Sequence, residues 1–146
     1  MMKNQTFQIE IEAKRESVWA VLWNDRTYRE WTSVFTEGSH AKSDWREGSK
    51  IHFLDPKGSG MVAIIEKKEV PSKMFFKHIG IVEDGVEDTT SEKVKEWAPS
   101  KEQYFLTEKD GTTLLQVQME MDDKHVETFK ELWGKALRKV KALSEN

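Results

Sequence analysis

The stretch Tyr104-Phe105-Leu106-Thr107-Glu108-Lys109-Asp110-Gly111-Thr112-Thr113-Leu114-Leu115-Gln116-Val117-Gln118-Met119-Glu120-Met121, with the segment from Asp122 to Leu143 behind it, decides the fold class. Asp110-Gly111 separates two runs that read as strands, and a type I′ turn needs positive φ at both central residues, which Asp and Gly tolerate. Residues 102–108 and 112–121 are therefore expected to pair as an antiparallel hairpin. After Met121 the period changes to 3.6: Val126, Phe129, Trp133, Ala136, Leu137 and Val140 share one face, and Lys130, Glu131, Lys135, Arg138 and Lys141 the other. Asp122-Asp123 place negative charge and a candidate cap where the helix begins. At about 1.5 Å per residue, a helix running to about Leu143 is long enough to cross a sheet.

Working outward, Phe7 to Ala13 alternates apolar and polar side chains as a half-buried strand does. Glu16 to Trp23 then takes helical spacing, and Asn24-Asp25 break it into a second short helix that ends near Trp31. Further strands fit near 39–45, 49–55, 60–69 and 73–79, divided by Glu47-Gly48, Asp55 to Gly60 and Pro71-Ser72. The run Met61 to Ile65 is apolar on both parities, so its inward face is undetermined. The segment Gly80 to Ser100 is too long for an ordinary connection; it is acidic over 83–88 and helical over Ser91 to Trp97, and it reads as a lid or binding loop, or simply as a solvated loop. The expectation is α+β: a curved antiparallel sheet of about seven strands around a long C-terminal helix, with two short helices after the first strand.

A chain of 146 residues is ordinary for one domain, taken here as 1–146. The 23 Lys and Arg are interspersed among 26 Asp and Glu, for a net charge of −3, so nucleic acid and anionic lipid are poor partners. The absence of cysteine excludes thiolate chemistry and fits a reducing compartment. No apolar leader or membrane-spanning run is present, and the expected location is cytoplasmic. His40, His52 and His125 look solvent-facing, and no two histidines have ligand spacing, so neither metal nor cofactor is expected. Nucleophile elbows, phosphate-cradling glycine loops and paired carboxylates are likewise missing.

The order of elements brings in a resemblance that covers nearly the whole chain. Ala13 to Trp19 (Ala-Lys-Arg-Glu-Ser-Val-Trp), Trp31 closing the second helix, Gly48 and Gly60 leading into strands, and Trp133-x-x-x-Leu137 near the end are similar to the START, polyketide-cyclase and birch-pollen-allergen-like (SRPBCC) superfamily. Within it the chain resembles the family of homologues of the heat-shock-protein-90 ATPase activator. Lys14 and Arg15 depart from that family, which usually has a Ser or Thr cap and a Pro at this point. The resemblance implies a helix-grip fold whose sheet and helix enclose a cavity for apolar molecules.

Candidate ligand-binding residues are Trp31, Phe53, Phe76, His78, Trp97, Tyr104, Met119, Trp133 and Leu137, with Ile51, Met74, Leu106 and Val117 at neighbouring inward positions. Trp31, Trp97 and Trp133 are placed around the cavity mouth, whereas Trp19, Trp23 and Trp45 are expected to pack helix against sheet. For each of these side chains the competing reading is plain core packing. His78 could orient a polar group of a ligand or move a proton, or could be a hydrogen-bonded core histidine. Three functions follow: binding of a small hydrophobic or amphipathic molecule; a cavity enzyme of cyclase or hydrolase type using His78 and Tyr104; and a chaperone-associated protein interaction, suggested by the family alone.

Overall fold

The computed structural model describes residues 2–146. In chain order its elements are β1 (Met2–Ile11), α1 (Arg15–Trp23), α2 (Asp25–Thr32), β2 (His40–Lys42), β3 (Lys50–Leu54), β4 (Gly60–Glu69), β5 (Lys73–Glu83), β6 (Val86–Asp88), α3 (Glu92–Lys95), β7 (Ser100–Lys109), β8 (Thr112–Asp122) and α4 (Val126–Glu145), with one 3-10 turn, Asp123–His125, before α4. The strands form one antiparallel sheet in the order β1-β8-β7-β5-β4-β3-β2, and β6 pairs with β5 outside that path. Asp110 and Gly111 have φ of 52° and 79°, as the β7–β8 hairpin requires. The Asp122 side chain accepts a hydrogen bond from the Lys124 amide and so caps the turn leading into α4.

The sheet has eight strands where about seven were expected, and the extra one lies in the acidic segment. β5 continues to Glu83, turns at Asp84-Gly85 with φ of 49° and 80°, and returns as β6. Residues 83–88 are thus a hairpin. Glu87 accepts from Lys50 Nζ at 2.9 Å and lies 2.7 Å from His52 Nε2, which ties the hairpin back to β3 and corrects the expectation that His52 faces solvent freely. Those two contacts hold the Glu87 carboxyl below the usual carboxylate range, the hydrogen bond with His52 being the larger cause. The hairpin also needs Gly80, because a Cβ there would stand 2.2 Å from the Asp88 carbonyl oxygen.

β4 and β5 pair with two irregularities, between Val62 and Ala63 and between Ile65 and Lys67. They settle which face of 61–65 is inward. Directly paired residues share a face: Ala63 is opposite His78, Ile65 opposite Phe76, and Met61 opposite Ile81, so the odd positions face the helix. Val62, opposite Gly80, joins Leu54 and Val82 in a separate small cluster. Bulges of this kind bend a sheet and increase its twist.

The main core lies between the sheet, α1, α2 and the C-terminal half of α4. Val18, Val21 and Leu22 from α1 meet Trp133, Ala136, Leu137 and Val140 from α4, over Ile51, Met74, Leu106, Leu115 and Val117 of the sheet. Lys14 stands at the α1 cap position and supplies no side-chain cap. Glu108 of β7 replaces it by accepting from the Arg15 amide at 2.8 Å. On α4 the apolar face divides: from Trp133 onward it is buried, whereas Val126 and Phe129 are only partly covered, because the first turns of the helix stand over open space.

Candidate functional site

That open space is a cavity of about 730 Å³ between the concave face of the sheet, α2 and the start of α4. Its size suits a drug-sized molecule. Of the sequence-predicted residues, Trp31, Phe53, His78, Trp97, Tyr104, Met119 and Trp133 line it. Phe76 and Leu137 do not. Phe76 is fully buried, sealed beneath Trp23, Phe53 and Tyr104 with ring centroids 5.5, 5.1 and 6.0 Å away. Leu137 sits one helical turn beyond Trp133, where α4 has already closed onto the core. Ile51, Met74, Leu106 and Val117 also belong to the packed core and leave the lining to others.

The three tryptophans expected around the mouth occupy different depths. Trp31 and Trp133 are 1% and 3% exposed and form the floor, their rings 6.0 Å apart, while Trp97 is half-buried at the rim after α3. Trp31 is held by its Nε1–H, which donates to the Leu22 carbonyl at 3.1 Å. Trp23 packs α1 against the sheet as expected, with its ring 4.9 Å from Tyr104 and 5.8 Å from Trp45.

Three of the polar side chains of the wall form one connected group. His78 Nε2 lies 2.8 Å from Glu102 Oε1, and the Tyr104 hydroxyl donates to Glu102 Oε2. Strand register builds this arrangement. Phe76 and Glu102 are direct partners across β5 and β7, as are Met74 and Tyr104, so Glu102 is the diagonal neighbour of His78 and follows the inward parity of Tyr104. The His78 and Glu102 side chains are 7% and 14% exposed. Facing a carboxylate oxygen, Nε2 carries the ring hydrogen. His78 Nδ1 and Trp133 Nε1 are buried without partners. Burial, and secondarily the Glu102 charge, pushes the phenols of Tyr104 and Tyr28 well above the ordinary tyrosine range, so both stay protonated.

Glu102 is the residue that sequence reasoning missed. Its signal was available: a carboxylate at the same parity as Tyr104 and Leu106 is out of place on an apolar strand face. His125 is exposed, as expected, and borders the cavity at the foot of α4, whereas His40 is bound to its own turn at the Gly38 carbonyl. Among the described residues no group of three or more His, Cys, Asp or Glu side chains could hold a metal ion. No helix is long and apolar enough to cross a membrane.

Comparison with solved structures settles the architecture. The structure of CalU16 from Micromonospora echinospora superposes with a TM-score of 0.69 at 16% identity, over 98% of this chain and 76% of that one. The Aha1 dimer structure from Colwellia psychrerythraea gives a TM-score of 0.72 at 18% identity, covering 98% of this chain and 96% of the other. The chain has the helix-grip fold. DynU16, from the dynemicin biosynthetic locus, shares the helix-grip arrangement with a TM-score of 0.70 at 14% identity; 95% of this chain matches 46% of that one, so this chain spans just under half of its length. No protein-family model matches the sequence, and no curated protein matches it.

Proposed function

We propose that the protein binds a small, largely apolar molecule carrying a polar group, inside the cavity between sheet and α4. The observation that supports this reading is a hollow of about 730 Å³ lined by aromatic side chains, with a hydrogen-bonded cluster, His78-Glu102-Tyr104, among the polar groups of its wall. Apolar walls provide affinity by removing ligand surface from water, at roughly 25 cal/mol per Å². A few polar groups on such a wall fix orientation. Placement among the homologues of the heat-shock-protein-90 ATPase activator belongs to the same proposal, and is supported by Ala13 to Trp19, by Trp133-x-x-x-Leu137 and by the fold likeness to the Aha1 structure.

The test is a thermal-shift and native mass-spectrometry screen with apolar small molecules, repeated on Met119→Trp, which fills part of the hollow. A binder present at about 100 times its Kd should add about 2.7 kcal/mol of stability to the wild type, and the effect should vanish in the variant. A library that shifts nothing, together with an experimental structure whose hollow is occupied by the protein's own side chains, sinks the proposal.

A second reading, a cavity enzyme of cyclase or hydrolase type, draws support from the contact of His78 Nε2 with Glu102, since a carboxylate behind an imidazole is how a general base is oriented. Tyr104 is a poor acid in that scheme, its hydroxyl already directed at Glu102. Turnover of a bound molecule that disappears in His78→Ala while binding persists would favour catalysis. For a protein-interaction role, the exposed large apolar side chains among the described residues are Val70 and Val86, single residues at opposite ends of the β5 hairpins rather than a patch.

A further inference from the structure

We propose that the cavity selects amphiphiles whose polar group donates hydrogen bonds, amines above all, and discriminates against carboxylates; this rests on the ligand-binding reading above. The innermost charge of the wall is Glu102, and both donors that could have welcomed an acid, His78 Nε2–H and the Tyr104 hydroxyl, are already directed at its two oxygens. A ligand carboxylate reaching this depth would meet a like charge in a place short of water, and the unpartnered Trp133 Nε1–H is itself buried out of reach. A ligand donor fares differently. The Glu102 carboxyl borders the cavity, and each of its oxygens has a lone pair beyond the one that His78 or Tyr104 engages, so a ligand donor can add to the cluster.

The outer wall has the same sign. Asp55, Glu96, Glu120 and Asp122 line the cavity, and Lys101 is the one Lys or Arg among the described lining residues. A cationic head entering between them also passes the aromatic side chains of Tyr28, Phe35 and Trp97, and aromatic rings attract cations over their faces. Apolar lining, a net negative wall and a carboxylate with lone pairs to spare together describe an aromatic or alicyclic amine, with a neutral alcohol as the weaker alternative.

Three probes of one skeleton test this: naphthylmethylamine, naphthalenemethanol and naphthoate, titrated calorimetrically at low salt, with the Trp97 and Trp133 indole N–H signals followed by NMR to place the probe. The amine should bind at least about tenfold tighter than the carboxylate, with the alcohol between them. In Glu102→Gln the gap should shrink to about threefold or less, whereas Tyr104→Phe, which keeps the charge and frees one carboxylate oxygen, should hold or widen it. If Glu102→Gln does not fold, the wild-type series and Tyr104→Phe still decide. Equal affinities, tighter binding of naphthoate, or an amine preference untouched by Glu102→Gln overturns the selectivity and leaves the binding cavity standing. Silence from all three probes overturns both.

Discussion

Replacing Glu102 by Ala removes the acceptor shared by His78 and Tyr104, two side chains that are 7% exposed and buried, respectively. A buried donor left without a partner costs about 1–3 kcal/mol, so two of them set a range of about 2–6 kcal/mol. The cavity lies against both groups, and water admitted to the vacated space brings the expected loss to the lower part of that range, about 2–3 kcal/mol. For a chain of this size that corresponds to a fall of about 6–9 °C in Tm. Tyr104→Phe alone should cost about 1 kcal/mol, since it forfeits one hydrogen bond and leaves one carboxylate oxygen facing the hollow. The double variant is the informative one. If Glu102 and Tyr104 act as one unit, removing the hydroxyl costs almost nothing once the carboxylate is gone, and the cycle closes with a coupling of about 1 kcal/mol or more. Urea unfolding of all four proteins at neutral pH, with a common m-value, measures it. Losses that add to within about 0.5 kcal/mol would refute the reasoning, because independent sites behave in that way.

Both tyrosines of the chain, Tyr28 and Tyr104, are buried with raised pKa values, so an alkaline titration followed by phenolate absorbance should stay flat until the protein unfolds and then rise in one cooperative step. The sign follows from linkage: the unfolded chain releases phenolic protons near pH 10 and the folded chain does not, so this contribution to stability is intact below about pH 10 and declines as the pH climbs above it. A gradual phenolate signal from the folded protein near pH 10 would contradict the burial. Gly134, in the body of α4, has only the Arg138 side-chain tip at 3.5 Å from the position of a Cβ, so Gly134→Ala should stabilise by about 0.5–1 kcal/mol in the same urea assay; a loss of stability would mean that α4 packs more closely there than described.

Much of the architecture was legible because it rests on local chemistry. Asp110-Gly111 specifies its turn through φ, the period-two runs on either side specify strands, and the 3.6 spacing from Val126 to Val140 specifies the long helix, all within a few residues along the chain. The acidic segment was misjudged for a related reason: Asp84-Gly85 is the same turn signal, but the strand it serves, Val86–Asp88, has three residues and no alternation to read.

What the sequence by itself determined is the set of elements, their order and the residues available to an inward face. The tertiary structure decided which inward residues meet open space and which meet each other. Phe76 and His78 share a parity, yet one is sealed by Trp23 and the other borders the cavity, because α1 covers the first and does not reach the second. Glu102 and His78 stand 24 residues apart across the β5–β6 hairpin and α3, and the register that sets them diagonally opposite is fixed only when β7 pairs with β5. Alternation tells a side chain which way to face; strand pairing and helix placement, which join distant parts of the chain, tell it what it will find there.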